Sequence, residues 1–238
     1  MFFKNPLRKR QAIGSLIGIF IGVGLYIILP QKSSEDLLSL GAMNVGHEGL
    51  SCTACHTPSK GTIVQQIQAN LAFTIGARKR PVDFGSKNVD NKKCLECHDR
   101  PNDRHPTFRF EEPKFKDAVA VIDARQCETC HREHNGTRVV LENATFCKNC
   151  HYDLEVINDP IDIPHSTLIK NKKWSTCLQC HDFHGNHIYH TPEKIKDTIS
   201  LKKVDDYLKG GEDPFTKKKK YYPLSEDEWK KIMNKYKK

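Results

Sequence analysis

Ten cysteines and five histidines in this chain fall into a single repeated pattern, Cys-x-x-Cys-His. The copies are Cys52/Cys55/His56, Cys94/Cys97/His98, Cys127/Cys130/His131, Cys147/Cys150/His151 and Cys177/Cys180/His181, and together they use every cysteine. This is the attachment signature of c-type haem: two thiols add to the two vinyl groups of the porphyrin, and the adjacent imidazole is placed to ligate the iron. The two-residue gap brings both sulfurs to one edge of the macrocycle. Five covalent haems c per chain are therefore expected. Structural zinc fits less well, because it combines two Cys pairs into one tetrahedral centre, leaves an odd pair stranded, and gives no reason for His to follow each pair. A disulfide framework does not require that His either.

The five motifs and their His-rich surroundings, from about His47 to His190, resemble the multihaem cytochromes c, more narrowly the class III or cytochrome c3-like group. The resemblance does not extend to the C-terminal tail. It implies closely packed, bis-histidine haems, in which a His beside one attachment motif often ligates a neighbouring haem. CETCHREH and CLQCHDFH read as an internal repeat of that kind, since a second His follows the first by three in both, at His134 and His184. Of the twelve histidines, seven lie outside the motifs: His47, His105, His134, His165, His184, His187 and His190. Five are needed as sixth ligands. We favour His47, His105, His134, His165 and His184, with His187 the nearest rival of His184 and His190 left as a surface residue. Methionine ligation finds little support, because of Met1, Met43 and Met233 only Met43 lies near a motif. A separate metal site in HDFHGNHIYH would need a helical segment, and Gly185 argues against one.

The elements that must hold these groups are short. Each motif is expected on a helical turn, so that side chains three or four apart share a face, and Pro101, Pro106, Pro113, Pro160 and Pro164 interrupt the intervals. The expected fold is mostly α and irregular: an N-terminal transmembrane helix plus a loop-rich multihaem domain with short helices packed around five covalent haems. Composition agrees. With 37% hydrophobic, 28% charged and only 8% aromatic residues, the polypeptide is poorly supplied for a large apolar core, and porphyrin would make up the difference. The longest gap between motifs carries Ile63, Ile67 and Leu71 at helical spacing, predicting an amphipathic helix over 62–75 that packs on a haem face.

The net charge of +9 sits at the ends: residues 1–12 hold +4, residues 191–238 hold +5, and residues 13–190 sum to zero. Two propionates on each ferric haem would take the middle to about −5. The basic balance is thus no sign of a nucleic-acid partner. Lys4, Arg8, Lys9 and Arg10 precede an uncharged run from Ala12 to Leu29 with no Ala-x-Ala-like site behind it. That predicts an uncleaved, single-pass signal anchor in the cytoplasmic membrane with the haem domain on the periplasmic side; a cleaved signal peptide is the alternative. Gly14, Gly18 and Gly22 share one face of the anchor, the geometry of helix association in lipid, although Gly is common in membrane helices in any case. The expected organisation is residues 1–30 stub and anchor, 31–46 connector, 47–190 pentahaem domain and 191–238 Lys-rich helical tail. In that tail Ser225 and Glu228 form a capping box for a final helix with Trp229, Ile232, Met233 and Tyr236 on one face. It would lie on a membrane, on a partner, or on its own chain.

These features predict an electron carrier: a membrane-anchored cytochrome relaying electrons from a quinol-linked membrane donor to an extracytoplasmic acceptor. Six-coordinate iron binds no substrate and changes redox state with little rearrangement. Two enzyme readings compete. A quinol dehydrogenase similar to the membrane-anchored tetrahaem family would share the single anchor, but this chain has five motifs and a longer connector. A reductase would need one open iron, and the surplus of His gives no sign of one.

Overall fold

The computed structural model describes residues 6–28, 39–142 and 144–236. Lys4, the end of the apolar run at Leu29, and residues 31–38 of the 31–46 connector lie outside them. Among the described residues ten helices follow in chain order: α1 Pro6–Ile28, α2 Cys52–Cys55, α3 Ile63–Thr74, α4 Asn91–His98, α5 Lys116–Val121, α6 Lys148–His151, α7 His165–Lys170, α8 Cys177–Cys180, α9 Leu201–Leu208 and α10 Glu226–Tyr236. Short 3₁₀ turns fall between them. No strand forms among the described residues; Pro58 with Ser86 and His187 with Lys219 make isolated bridges. The architecture, about half helical with a loop-rich remainder, is the one the sequence predicts.

Helix α1 has 23 residues and a mean hydropathy of 2.0 over its most apolar window. At about 1.5 Å per residue it is some 35 Å long, enough to cross a hydrocarbon core. None of it is buried against the rest of the chain.

The remaining polypeptide makes little core of its own. The whole chain, α1 included, has an accessible surface of 18276 Å², whereas a compact chain of this mass would expose about 11,000 Å². The buried apolar residues are Phe110, Ala118, Ala144, Leu178, Cys180 and Val204. Ala144, Leu178 and Val204 form the central cluster, with Cys147, Cys177, Phe183, Ile199 and Leu208 packed around them. This small core lies directly against the fourth and fifth motifs and draws Val204 from the tail.

The tail is a strap across the body. Arg138 donates to the Tyr207 carbonyl and stacks on the Tyr207 ring, 4.1 Å from its centre. The chain then pairs with the loop after the fifth motif: Ile188 N–H donates to Lys218 O at 2.9 Å and Lys220 N–H to Asn186 O at 2.8 Å. Gly185 makes this turn at φ +66, where a Cβ would strike the Arg104 side chain at 2.6 Å. The expected capping box is present, with Ser225 N–H on Glu228 Oε2 at 2.8 Å and Glu228 N–H on Ser225 Oγ at 3.3 Å. Helix α10 docks on its own chain. Trp229 Nε1 donates to Glu96 at 2.8 Å under the Lys93 ammonium, and Glu226 accepts from Ser51 Oγ at 2.6 Å and Ser51 N–H at 3.0 Å. The Tyr236 side chain lies outside the described set.

Candidate haem centres

Each motif forms one helical or 3₁₀ turn. In the first, third and fifth copies the histidine N–H closes that turn onto the carbonyl of the leading cysteine at 2.8 Å: His56 on Cys52, His131 on Cys127 and His181 on Cys177. The chain then leaves the helical region at His56 and His181, whose backbones are extended. Both cysteines and the imidazole thus come off a single turn, as thioether attachment with axial ligation demands.

Every motif histidine faces one histidine from elsewhere in the chain. The ring centres are 6.3 Å apart for His56–His134, 5.8 Å for His98–His47, 6.0 Å for His131–His184, 6.1 Å for His151–His105 and 6.1 Å for His181–His165. Two imidazoles sharing one metal, with bonds of about 2 Å and ring centres about 1 Å behind the nitrogens, would stand about 6 Å apart. Among the described residues no three His, Cys, Asp or Glu side chains gather to hold a bare ion. The donors come as opposed pairs beside a cysteine pair, an arrangement that fits bis-histidine haem c.

The outer nitrogen of each facing histidine is engaged. His47 Nδ1 bonds Glu133 Oε2 at 2.8 Å, His165 bonds Asp159 at 2.9 Å, and His184 bonds Asp103 at 2.9 Å. His105 Nδ1 donates to the Phe183 carbonyl at 2.6 Å, and His134 bonds Ser39 Oγ at 2.9 Å. Such bonds fix the tautomer, leave Nε2 free toward the opposite ring, and raise its basicity. These partners, Glu133, Asp103, Asp159 and Ser39, were not visible from sequence; three of them lie far along the chain from the ring they hold, and Glu133 shows only as the residue before His134. His134 itself sits at φ +64, a region that bulky residues occupy only where the surroundings impose it.

Burial favours the neutral form, the one that can ligate, at four of the imidazoles. It lowers His98 to about 4, with His47 and Arg100 nearby adding to the effect, and it also lowers His105, His131 and His181. His47 is raised instead, chiefly by its bond to Glu133.

His187 differs from the other sixth-ligand candidates. Its Nδ1 bonds Asp182 at 2.7 Å and its Nε2 bonds Asp213 at 2.5 Å, and it faces no motif histidine. With both nitrogens donating it is an imidazolium; burial opposes the charge, but the two carboxylates outweigh burial and raise its pKa. His187 is a clasp between the fifth-motif loop and the tail. His190 is exposed, as expected.

The motifs also meet each other. The helix of the second motif packs on the Cys127–Thr129 turn, and the turns of the fourth and fifth motifs pack on each other, so the second and third motifs adjoin and the fourth and fifth adjoin. The Phe183 ring stacks on His105 at 4.2 Å and meets His184 edge-on at 5.0 Å, between the third and fourth pairs. A hollow of about 510 Å³ lies beside the third and fourth motifs, lined by Val121, Ile122, Leu141 and Phe146 among others. Phe110 of HPTFRF is buried near His105, whereas Phe108 is exposed.

No curated protein and no solved structure matches the chain. Residues 78–152, about a third of its length and spanning the second to fourth motifs, match the family model described as Cytochrome c3. Over that stretch the chain is similar to the cytochrome c3 family, and the match supports a multihaem electron-transfer cytochrome with covalently bound haem c.

Proposed function

We propose that this protein is a membrane-anchored carrier with five bis-histidine haems, relaying electrons from a quinol-linked membrane donor to an extracytoplasmic acceptor. The observation that carries the reading is the set of five opposed histidine pairs, one for each motif. Haem c supplies one-electron redox chemistry at iron. The chain's residues do the rest. The cysteine pairs would hold each group through thioether bonds, and the motif histidines His56, His98, His131, His151 and His181 would each ligate its iron. His134, His47, His184, His105 and His165 respectively would supply the second imidazole. With a protein nitrogen on both sides, no centre is open to substrate, which favours a carrier over a reductase.

Connectivity between centres follows from shared backbone. His131 and His134 belong to one loop but serve the third and first motifs, and His181 and His184 serve the fifth and third. With the packing of the second motif on the third and of the fourth on the fifth, these links tie all five motifs into one network. We place the point at which electrons enter at the Cys52/Cys55 motif, nearest in sequence to α1, and the exit at Cys177/Cys180.

The test is haem quantification with EPR spectroscopy on purified full-length protein. Five haems per chain, all low-spin, are expected; a stoichiometric high-spin centre would overturn the carrier reading in favour of an enzyme. For the direction of flow, His56→Ala should block reduction by membrane quinol and spare reduction by a soluble dye. Normal quinol reduction of the other four centres would refute the proposed order.

A further inference from the structure

Helix α3 is held by its polar side. Thr62 and Gln65 cap its start in a reciprocal box. Gln66, only 4% exposed, turns inward: its Oε1 accepts from Gly85 N–H at 2.9 Å, and its Nε2 donates to Gly61 O at 3.2 Å and toward Ser59 O and Lys60 O. One turn on, Asn70 bonds both backbone groups of Val82, at 2.9 and 3.1 Å. These two amides satisfy the loops on either side of the helix and fasten residues 57–87 into a self-contained lobe. The bridge between Pro58 and Ser86 and the bond from Lys87 N–H to Thr57 O, 2.9 Å, close its neck immediately after His56.

The apolar side faces out. Ile63, Val64, Ile67, Leu71 and Ile75 are between 52% and 71% exposed, and at about 100° per residue they fall within an arc of roughly 120° along the whole helix, some 18 Å. Among the described residues no other helix of the chain packs closely on α3. A stripe of this length exceeds the contact made by one porphyrin edge. Its charge setting is distinctive. Residues 57–87 carry Lys60, Arg78, Lys79, Arg80 and Lys87 against Asp83 alone, a net +4, while the rest of residues 13–190 sums to −4 before any propionates are counted. Arg78 N–H bonds the Ala72 carbonyl at 3.1 Å, folding the basic triplet back against the end of the apolar arc.

We propose that this lobe is a second membrane contact: α3 lies in the interface of an anionic bilayer, its Ile63/Ile67/Leu71 arc among the acyl chains and Arg78, Lys79 and Arg80 on acidic headgroups. Apolar arc and adjoining cations on one small helix are the two components of interfacial binding. Helix α1 supplies the tether that holds the lobe within reach, and to that extent the inference rests on the anchor reading. Because the lobe's neck begins at residue 57, docking it would hold the His56 pair against the membrane surface.

The experiment uses full-length, haem-loaded protein reconstituted into vesicles and reads tryptic cleavage after Arg78, Lys79 and Arg80. Cleavage should slow at least tenfold in phosphatidylglycerol-containing vesicles relative to pure phosphatidylcholine. Ile67→Gln with Leu71→Gln should abolish that protection while leaving haem content and spectrum unchanged. Equal cleavage in both lipids would overturn the proposal, because the arc would then be covered by the chain itself or by nothing. Loss of haem or a shifted Soret band in the double variant would overturn it too, since the arc would be a cofactor wall. Alkaline extraction of the same vesicles reads the α1 anchor separately: extraction would sink the anchor without touching the lipid dependence of cleavage.

Discussion

Replacing His134 with glycine tests the pairing of the histidines most directly. The residue stands at φ +64, a conformation that costs a β-carbon-bearing residue about 1–2 kcal/mol and glycine nothing, so His134→Gly deletes the ring without adding strain. Its ring centre lies 6.3 Å from that of His56, and no other histidine faces His56. On the five-haem proposal one of five irons should lose its sixth ligand, converting about one fifth of the low-spin signal to high-spin. EPR reads that fraction, and added imidazole should restore it by occupying the space the ring leaves. Combined variants then locate the centre. His56→Ala with His134→Gly should perturb one iron, because both residues address the same metal, whereas His131→Ala with His134→Gly should perturb two. If the second combination affects only one centre, His134 serves its sequence neighbour and the derived pairing is wrong. If His134→Gly leaves all five centres low-spin, the bis-histidine assignment of the first motif fails altogether.

Glu133→Gln removes the carboxylate behind His47, and with it charge that favours the oxidised centre. Redox titration should show one of five potentials rising, on the order of tens of millivolts, with the other four unmoved. Trp229→Ala takes away the Glu96 bond and the Lys93 contact that seat α10. A loss of about 2 kcal/mol in local stability should raise amide exchange over residues 224–236 about thirtyfold while exchange at α8 stays constant. The His187 clasp is pH-dependent with a definite sign. Its folded pKa is raised, so its contribution is complete below about pH 6.5, the unfolded value, and is lost as pH rises through the folded value. Tail exchange over 212–222 should therefore increase on the alkaline side. The groups facing the ring are Asp182, Asp213, with Lys219 beyond it, and the Tyr207 and Phe215 rings. His187→Gln should flatten the profile, and an unchanged profile would refute the clasp.

The covalent chemistry was written locally in the sequence. Thioether attachment needs two thiols and an imidazole on one turn, and five contiguous residues specify that without help from the rest of the chain. The same holds for the Ser225/Glu228 box, the apolar length of α1 and the amphipathic period of α3, all of which follow from short-range spacing. Which histidine faces which motif is not local information. His134 follows His131 by three residues, but the chain beyond the motif turn is not helical and bends through φ +64 at His134, so its ring faces the first motif rather than its neighbour's. The choice between His184 and His187 depended likewise on distant carboxylates: Asp103 behind one ring, and Asp213 from the tail behind the other. For α3 the period showed two faces and suggested that the apolar one packs on a haem face, but it did not show that the flanking loops would hold the polar one. The loops flanking it had backbone groups to satisfy, Gln66 and Asn70 could satisfy them, and Ile63, Ile67 and Leu71 could not. Hydrogen-bond demand oriented the helix, and that demand arises only when residues 57–62 and 82–87 are folded around it.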